Sequence, residues 1–342
     1  MKVNEIREKM KNRKKDELQE LIVEMYKQMP KKMREEKEID ELIDNPDLFK
    51  SRKQQAKKDV QLPDFASVEY EVKTFIDNAY KQNYVAPNQI IPKKQRSQWR
   101  FTAKRLVEQL TVLAAQPQHA KASTAYLEKM YKLLCYASGH YVFASSEPFH
   151  TIKISQMDFF ERVVSCKKQV ADEPDQWIRE SLLLIVENDT DFETLKESLS
   201  EVLLKFLDNA PLKEKAVSIA ENLVQGKEAD IKNGSKNRRS ITKYRDERYI
   251  NDLVEMVVMT QSALGEYEEA NEFFKKHYRA IREEVKLFVL LKLVMLYQRV
   301  EDWVREYDAA IQKGIHPRES LQIMRNYIQR ENEFPNYLWG SF

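Results

Sequence analysis

From Ser155 to Arg330 apolar side chains return every three or four residues, and the interruptions between them are short. A period near 3.6 puts such residues on one stripe of a helix, and burying that stripe requires another helix against it. Most connections hold two to six residues, which makes successive helices antiparallel neighbours. Only six glycines occur in 342 residues. Sheet-rich folds use glycine in many tight turns, so the scarcity also points to helices with short connections. The sequence therefore predicts an all-α fold of stacked antiparallel helix pairs, α-superhelix or solenoid-like in build. An irregular multi-helix bundle is the alternative.

The pattern divides the chain. Residues 1–48 predict an N-terminal helical segment, with Ile6, Met10, Leu18, Leu21, Ile22, Met25 and Tyr26 on one stripe before Pro30, and Ile39, Leu42 and Ile43 on a second, shorter one. Residues 49–63 are polar, rich in Lys and Gln, and predict a linker. Residues 64–145 predict a helical subdomain, its strongest seam being Trp99, Ala103, Leu106, Leu110 and Leu113, with Gly139 as a helix C-cap. The stretch 140–154 lacks a helical period. It is expected to be a subdomain boundary and the place for any strand. Residues 150–342 predict a helical-repeat-like domain. Within it, Ser155–Asp158 and Thr190–Glu193 resemble capping boxes, and Pro174 opens a helix. Asn209 and Pro211 open another, which Gly226 is expected to end. A polar, basic loop over 227–240 is expected next, and then helices near 243–263, 267–281, 284–299, 302–313 and 317–330, with Pro317 in a first turn.

One junction is the most specific. In Leu264-Gly265-Glu266-Tyr267-Glu268-Glu269-Ala270, followed by Phe273-Phe274, a glycine permits a sharp turn, Tyr267 fills the gap and Ala270 allows close helix packing. Gly265-x-Tyr267-x-x-Ala270-x-x-x-Phe274 resembles the second half of a tetratricopeptide repeat. The likeness covers about one helix pair. Val258 and His277 stand where that family has small residues, and no proline ends the unit. One repeat later Glu301-Asp302-Trp303 offers an aromatic without the glycine or the alanine. The resemblance implies a scaffold that docks a protein or peptide partner along a groove between helix pairs, and points to Tyr244, Tyr267, Phe274, Tyr278 and Trp303 as partner-binding residues.

No pattern supplies chemistry. The five histidines show no close metal-ligand spacing, and no glycine-rich phosphate loop occurs. Cys135 and Cys166 sit in apolar helical surroundings and read as buried free thiols. A dyad of Cys135 with His140 or His150 lacks a third orienting group. Paired glutamates such as Glu268-Glu269 read as solvated helix faces. No catalytic, cofactor-binding or metal-binding residue is therefore expected, and the chain reads as a non-enzymatic protein.

The net charge of +2 gives little global steering, so only local patches could attract a polyanion. Two acid-free runs qualify, Lys93 to Arg105 and Lys232 to Arg245. In the first, Arg96, Arg100 and Lys104 fall on one stripe of an expected helix. An alternative role as a nucleic-acid-associated or regulatory protein would use Lys93, Arg96, Arg100, Lys104, Arg238 and Arg239 for phosphate contacts. The apolar tail from Phe334 to Phe342 is expected either to fold back on the last helix pair or to drive self-association. The charged N-terminus does not resemble a signal peptide, and Lys292, Gln298 and Arg299 break the most apolar stretch, Val285 to Val300. The expected location is the cytoplasm, with no membrane partner.

Overall fold

The structure, a computed structural model, describes residues 3–11, 13–36, 39–46, 62–88, 90–233 and 240–335. These residues form α-helices joined by turns, with no strand among them. The chain divides into two compact units, Met1–Leu62 and Pro63–Phe342.

The first unit contains α1 (Val3–Lys11), α2 (Lys15–Gln28), α3 (Lys31–Glu36) and α4 (Ile39–Asp44). The stripe expected to make one helix before Pro30 thus occupies two. Neither α2 nor α4 buries a residue, and Ile22, Val23 and Met25 remain about half exposed. Polar contacts join the short helices. The Tyr26 hydroxyl donates to Asp40, and the Arg34 guanidinium lies 4.6 Å from the centre of the Tyr26 ring.

The second unit contains α5 (Phe65–Tyr80), α6 (Lys93–Arg96), α7 (Trp99–Ala114), α8 (Ala120–Gly139), α9 (Pro148–Ile152), α10 (Gln156–Val170), α11 (Pro174–Glu187) and α12 (Lys196–Phe206). It continues through α13 (Ala210–Asn233), α14 (Ser240–Leu264), α15 (Tyr267–His277), α16 (Glu283–Tyr297), α17 (Val300–Gln312) and α18 (Glu319–Glu331). One apolar core runs from Val68 in α5 to Ile328 in α18. α5 packs on α7 and α8, α8 on α10, and α10 on α12. α14 touches α11, α12, α13, α15 and α16, and α16 leads to α17 and α18. Because α14 is covered from several sides, its stripe widens into a run. Leu253, Val254, Met256, Val257, Val258 and Met259 are all buried. A helix apolar around most of its surface has to lie inside the fold.

Stretch 140–154 sends Val142, Phe143, Phe149, Ile152 and Ile154 into the core, and the unit Pro63–Phe342 is not divided there. The Phe143 ring stacks on Trp99 at 4.0 Å between centroids and also meets Phe75 and Tyr84. Phe149 packs against Tyr131 and Phe159. The backbone here is irregular, which hides the segment from periodicity, but its aromatic side chains each bury enough surface to hold it in place. It contains α9 and no strand. Nearby, Lys167, almost wholly buried, bridges Glu128 of α8 at 2.5 Å and Glu180 of α11.

Helix ends follow local chemistry in some places and tertiary contact in others. Ser155 Oγ accepts from the Asp158 amide at 3.0 Å, and Asn209 Oδ1 from the Leu212 amide at 3.0 Å. Thr190–Glu193 does not begin a helix. α12 starts at Lys196, and the Asp191 amide donates instead to Gln156 Oε1 at 2.7 Å. Pro317 lies just ahead of α18. Gly226 does not end its helix either. α13 runs through it to Asn233, so residues 227–233 of the expected loop are helical. A mid-helix glycine is a modest cost that packing outweighs, here including the Lys227–Asp246 ion pair between α13 and α14.

Gly265 ends α14 as expected, with φ +84°. Its amide donates to Ser262 O, and that of Glu266 donates to Gln261 O, the two bonds of a Schellman motif. Gly314 does the same for α17, at φ +79°. A Cβ at Gly265 or Gly226 would meet no atom within 4 Å, so backbone conformation alone decides the effect of alanine. Gly265→Ala should destabilise the chain by about 1 kcal/mol, while Gly226→Ala should stabilise it by about 1 kcal/mol. Urea-unfolding midpoints moving in opposite directions would bear this out, and equal shifts would not.

Candidate binding site between the C-terminal helices

The five aromatics expected to line a groove do not share a surface. Phe274 and Trp303 are fully buried and so cannot touch a partner. Their large rings fill the spaces beneath α15 and α17, the stronger demand on an aromatic at helical spacing. Tyr278, half-buried, stacks on Phe274 at 4.4 Å, and half-buried Tyr267 lies under the Arg299 guanidinium at 4.8 Å. Tyr244 is exposed, but it sits near the start of α14. Tyr267 follows the far end of that helix, about 30 Å away at 1.5 Å per residue.

A different site forms among α15, α16 and α17. A pocket of about 170 Å³ has Leu287, Leu290, Ala309, Ala310 and Ile315 as its floor. Lys275, Lys286, Lys313, Glu283 and Glu306 form its rim. Lys275 is held by Glu272 at 2.5 Å and by Glu306 at 3.2 Å, and Lys286 donates to the Lys275 carbonyl at 2.6 Å. Lys313 and Glu283 remain exposed and outside any ion pair among the described residues. A buried amide network fixes the walls. Asn271 and Gln298 exchange reciprocal hydrogen bonds at 3.0 Å, and Gln298 also donates to Ser262 Oγ at 2.9 Å. Gln298 ends α16, Ser262 belongs to α14 and Asn271 to α15, so three helices are locked together where the pocket begins.

A second polar cluster lies where α14 meets α12 and α16. Lys292 Nζ bonds Glu197 at 2.6 Å, and the Tyr297 hydroxyl donates to Glu201 at 2.9 Å. Lys196 Nζ donates to the Ile185 and Asn188 carbonyls at the end of α11, and burial pulls its pKa down. On α14 itself, burial pushes Asp252 up to about 6, against the pull of Lys196 and Arg248. Burial pushes Glu255 up to about 7, reinforced by Asp252 and Glu197 and opposed by Lys292 and Tyr278. Asp252 Oδ2 is buried without a hydrogen-bond partner among the described residues, with the Arg248 guanidinium 4.0 Å away. Periodicity gave no warning of this cluster, because acids one turn apart on a charged helix look solvated.

The basic runs are only partly available. Arg96 donates to the Asn88 and Ile91 carbonyls, so it braces the loop before α6 and leaves the expected stripe. Lys93, Lys94 and Arg100 are exposed, Lys104 is half-buried, and Arg100 lies over the exposed Phe101 ring at 4.8 Å. Arg238 and Arg239 lie outside the described residues, as do tail residues 336–342. Phe334 packs against the core.

Cys135 and Cys166 are free and buried. Burial pushes the Cys135 thiol up to about 12, and its sulfur accepts a hydrogen bond from Gln156 at 3.3 Å. His140 instead stacks on Tyr136 at 4.0 Å, and His150 lies toward Glu147 in solvent. A protonated, enclosed thiol is no nucleophile. Among the described residues no group of three or more His, Cys, Asp or Glu side chains is placed to hold a metal ion. Nor is any helix there long and apolar enough to cross a membrane.

Comparison of the chain with models of known protein families, with curated proteins and with solved structures finds no match.

The α14 carboxylates set a pH dependence. Folding raises Asp252 and Glu255 above their ordinary values of 3.8 and 4.5, so the folded chain binds their protons more tightly than the unfolded one. Their contribution to stability is complete below those ordinary values and is lost as pH rises through about 6 and 7. Glu255→Gln should flatten this fall and raise stability at pH 8 by on the order of 1 kcal/mol. Thermal melts of both proteins from pH 5 to pH 8, a range of roughly the span over which such carboxylates titrate, would fail to diverge if Glu255 were freely solvated.

Proposed function

We propose that the chain is a non-enzymatic cytoplasmic scaffold that docks a protein or peptide segment at its C-terminal helices. The pocket among α15, α16 and α17 carries this reading. Its volume of about 170 Å³ is below the roughly 300–1,000 Å³ of small-molecule sites. It has room for one aliphatic side chain against Leu287, Leu290 and Ile315. The rim carries Lys275, Lys286 and Lys313 against Glu283 and Glu306, and this excess of positive charge favours an acidic residue beside that anchor. Such an anchor in a desolvated pocket supplies most of the binding energy of a small interface. Tyr278 and Tyr267 are supports of the helices here, not contacts.

Panning a displayed random-peptide library against the whole protein tests the idea. The expected result is enrichment of an aliphatic residue flanked by Asp or Glu. Ala309→Trp, which fills the pocket from a half-buried position, should abolish enrichment, and Lys313→Glu should remove the acidic preference. The same peptides selected on the wild-type protein and on Ala309→Trp would eliminate the pocket as the anchor.

A second reading, nucleic-acid association, draws on exposed Lys93, Lys94 and Arg100, the last lying over the exposed Phe101 ring, a cation on a stacking surface. Under it, fluorescence anisotropy should detect binding of a single-stranded oligonucleotide at low salt that weakens steeply as salt is added. Absence of any low-salt signal would dismiss it.

A further inference from the structure

The first unit holds an apolar stripe that stays in solvent. α2 is 14 residues long and has no buried residue. Helices shorter than about 15 residues are marginal in water unless a packed face supports them. Its companions α1, α3 and α4, of 9, 6 and 6 residues, are shorter still. Ile22, Val23 and Met25 of α2 are about half exposed, and so is Met33 of α3, which the Arg34–Tyr26 contact holds to α2. Exposed aliphatic side chains gathered in this way mark a contact surface.

Charge is sorted around the stripe. Lys9, Lys11, Arg13, Lys14 and Lys15 lie exposed in an acid-free run that leads into α2. None of the five enters an ion pair among the described residues. At about 100° per residue, Lys15, Ile22 and Met25 fall on one side of α2, and Asp16, Glu17, Glu20 and Glu24 on the other. Glu24 is also tied to Lys27 at 2.7 Å. Aliphatic groups with cations beside them, and acids turned away, suit a helix lying in the plane of an anionic lipid surface. A nucleic acid would use the cations but not Ile22 and Met25, because bases stack on aromatic rings. Tyr26, the aromatic of α2, is already engaged by Arg34 and Asp40.

We propose that the first unit docks on an anionic bilayer surface through α2 and the cationic run before it. Ile22, Met25 and Met33 enter the acyl boundary, and the five cations meet lipid phosphates. A helix that lies on a bilayer needs no apolar run of spanning length, so the contact is peripheral.

Flotation of the full chain with vesicles tests the assignment, using phosphatidylcholine alone and an equal mixture with phosphatidylglycerol. The chain should float with the mixed vesicles at low salt, and partition at least about tenfold more weakly onto phosphatidylcholine or at high salt. Replacing all five cations by Gln should lower partitioning at least about a hundredfold. Ile22→Ser with Met25→Ser should lower it about tenfold. Both variants change exposed side chains only and should melt like the native chain; the cation variant suffices alone should the serine variant misfold. Hydrogen exchange should show that mixed vesicles protect the amides of α2 and leave the second unit unchanged. No flotation with mixed vesicles, equal flotation with neutral ones, native partitioning of either variant, or protection confined to the second unit would each overturn the proposal. Two further outcomes would do the same. Dimerisation in sedimentation runs that the serine variant abolishes would put a second copy on this face, and binding of a single-stranded oligonucleotide without flotation would assign the cations to nucleic acid.

Discussion

The second unit depends on burying α14 from several sides at once. A helix whose residues from Leu253 to Met259 are nearly all apolar cannot rest on the surface of the fold, and α11, α12, α13, α15 and α16 each cover part of it. Each of those large side chains contributes about 1.5–3 kcal/mol when removed from water, which is ample to carry Gly226 within α13 and two carboxylates on α14. Asp252 and Glu255 hold protons more tightly than free acids because the apolar packing around α14 crowds them.

α15 is the wall between two cavities of different character. On one face, Leu287, Leu290 and Ile315 make a small apolar pocket with a lysine rim. On the other, Glu221, Glu269, Glu272 and Lys276 line an open cleft beside Gln261. Lys275 belongs to both, and its ties to Glu272 and Glu306 keep the charge of the two sites apart. The Asn271–Gln298–Ser262 amide network holds α15 in register with α14 and α16. A wrongly placed partner in such a network would leave a buried amide unsatisfied, so the network specifies a position as well as stabilising it.

The expectations that succeeded and failed separate along physical lines. Stripes such as Trp99, Ala103, Leu106, Leu110 and Leu113 were legible because one helical period decides which face is buried. The Gly265 turn was legible because a left-handed residue between two helices strongly favours glycine. Phe143 and Phe149 were misread as boundary residues because irregular backbone carries no period. Phe274 and Trp303 were misread as groove residues because spacing cannot tell an aromatic that fills the core from one that awaits a partner.

The sequence by itself determined the helical class, the glycine-ended junctions at Gly265 and, with its cap, the start at Asn209, and the greater part of the core. Each of these depends on residues within a turn or two of one another. Only the tertiary structure decided which helices cover α14, that Arg96 braces a loop, and that pocket and cleft lie on opposite faces of α15. Those outcomes depend on groups tens of positions apart, such as Glu197 with Lys292, or Glu221 with Gln261 and Glu269. Burial and charge act through distance in space, and local periodicity holds no record of it.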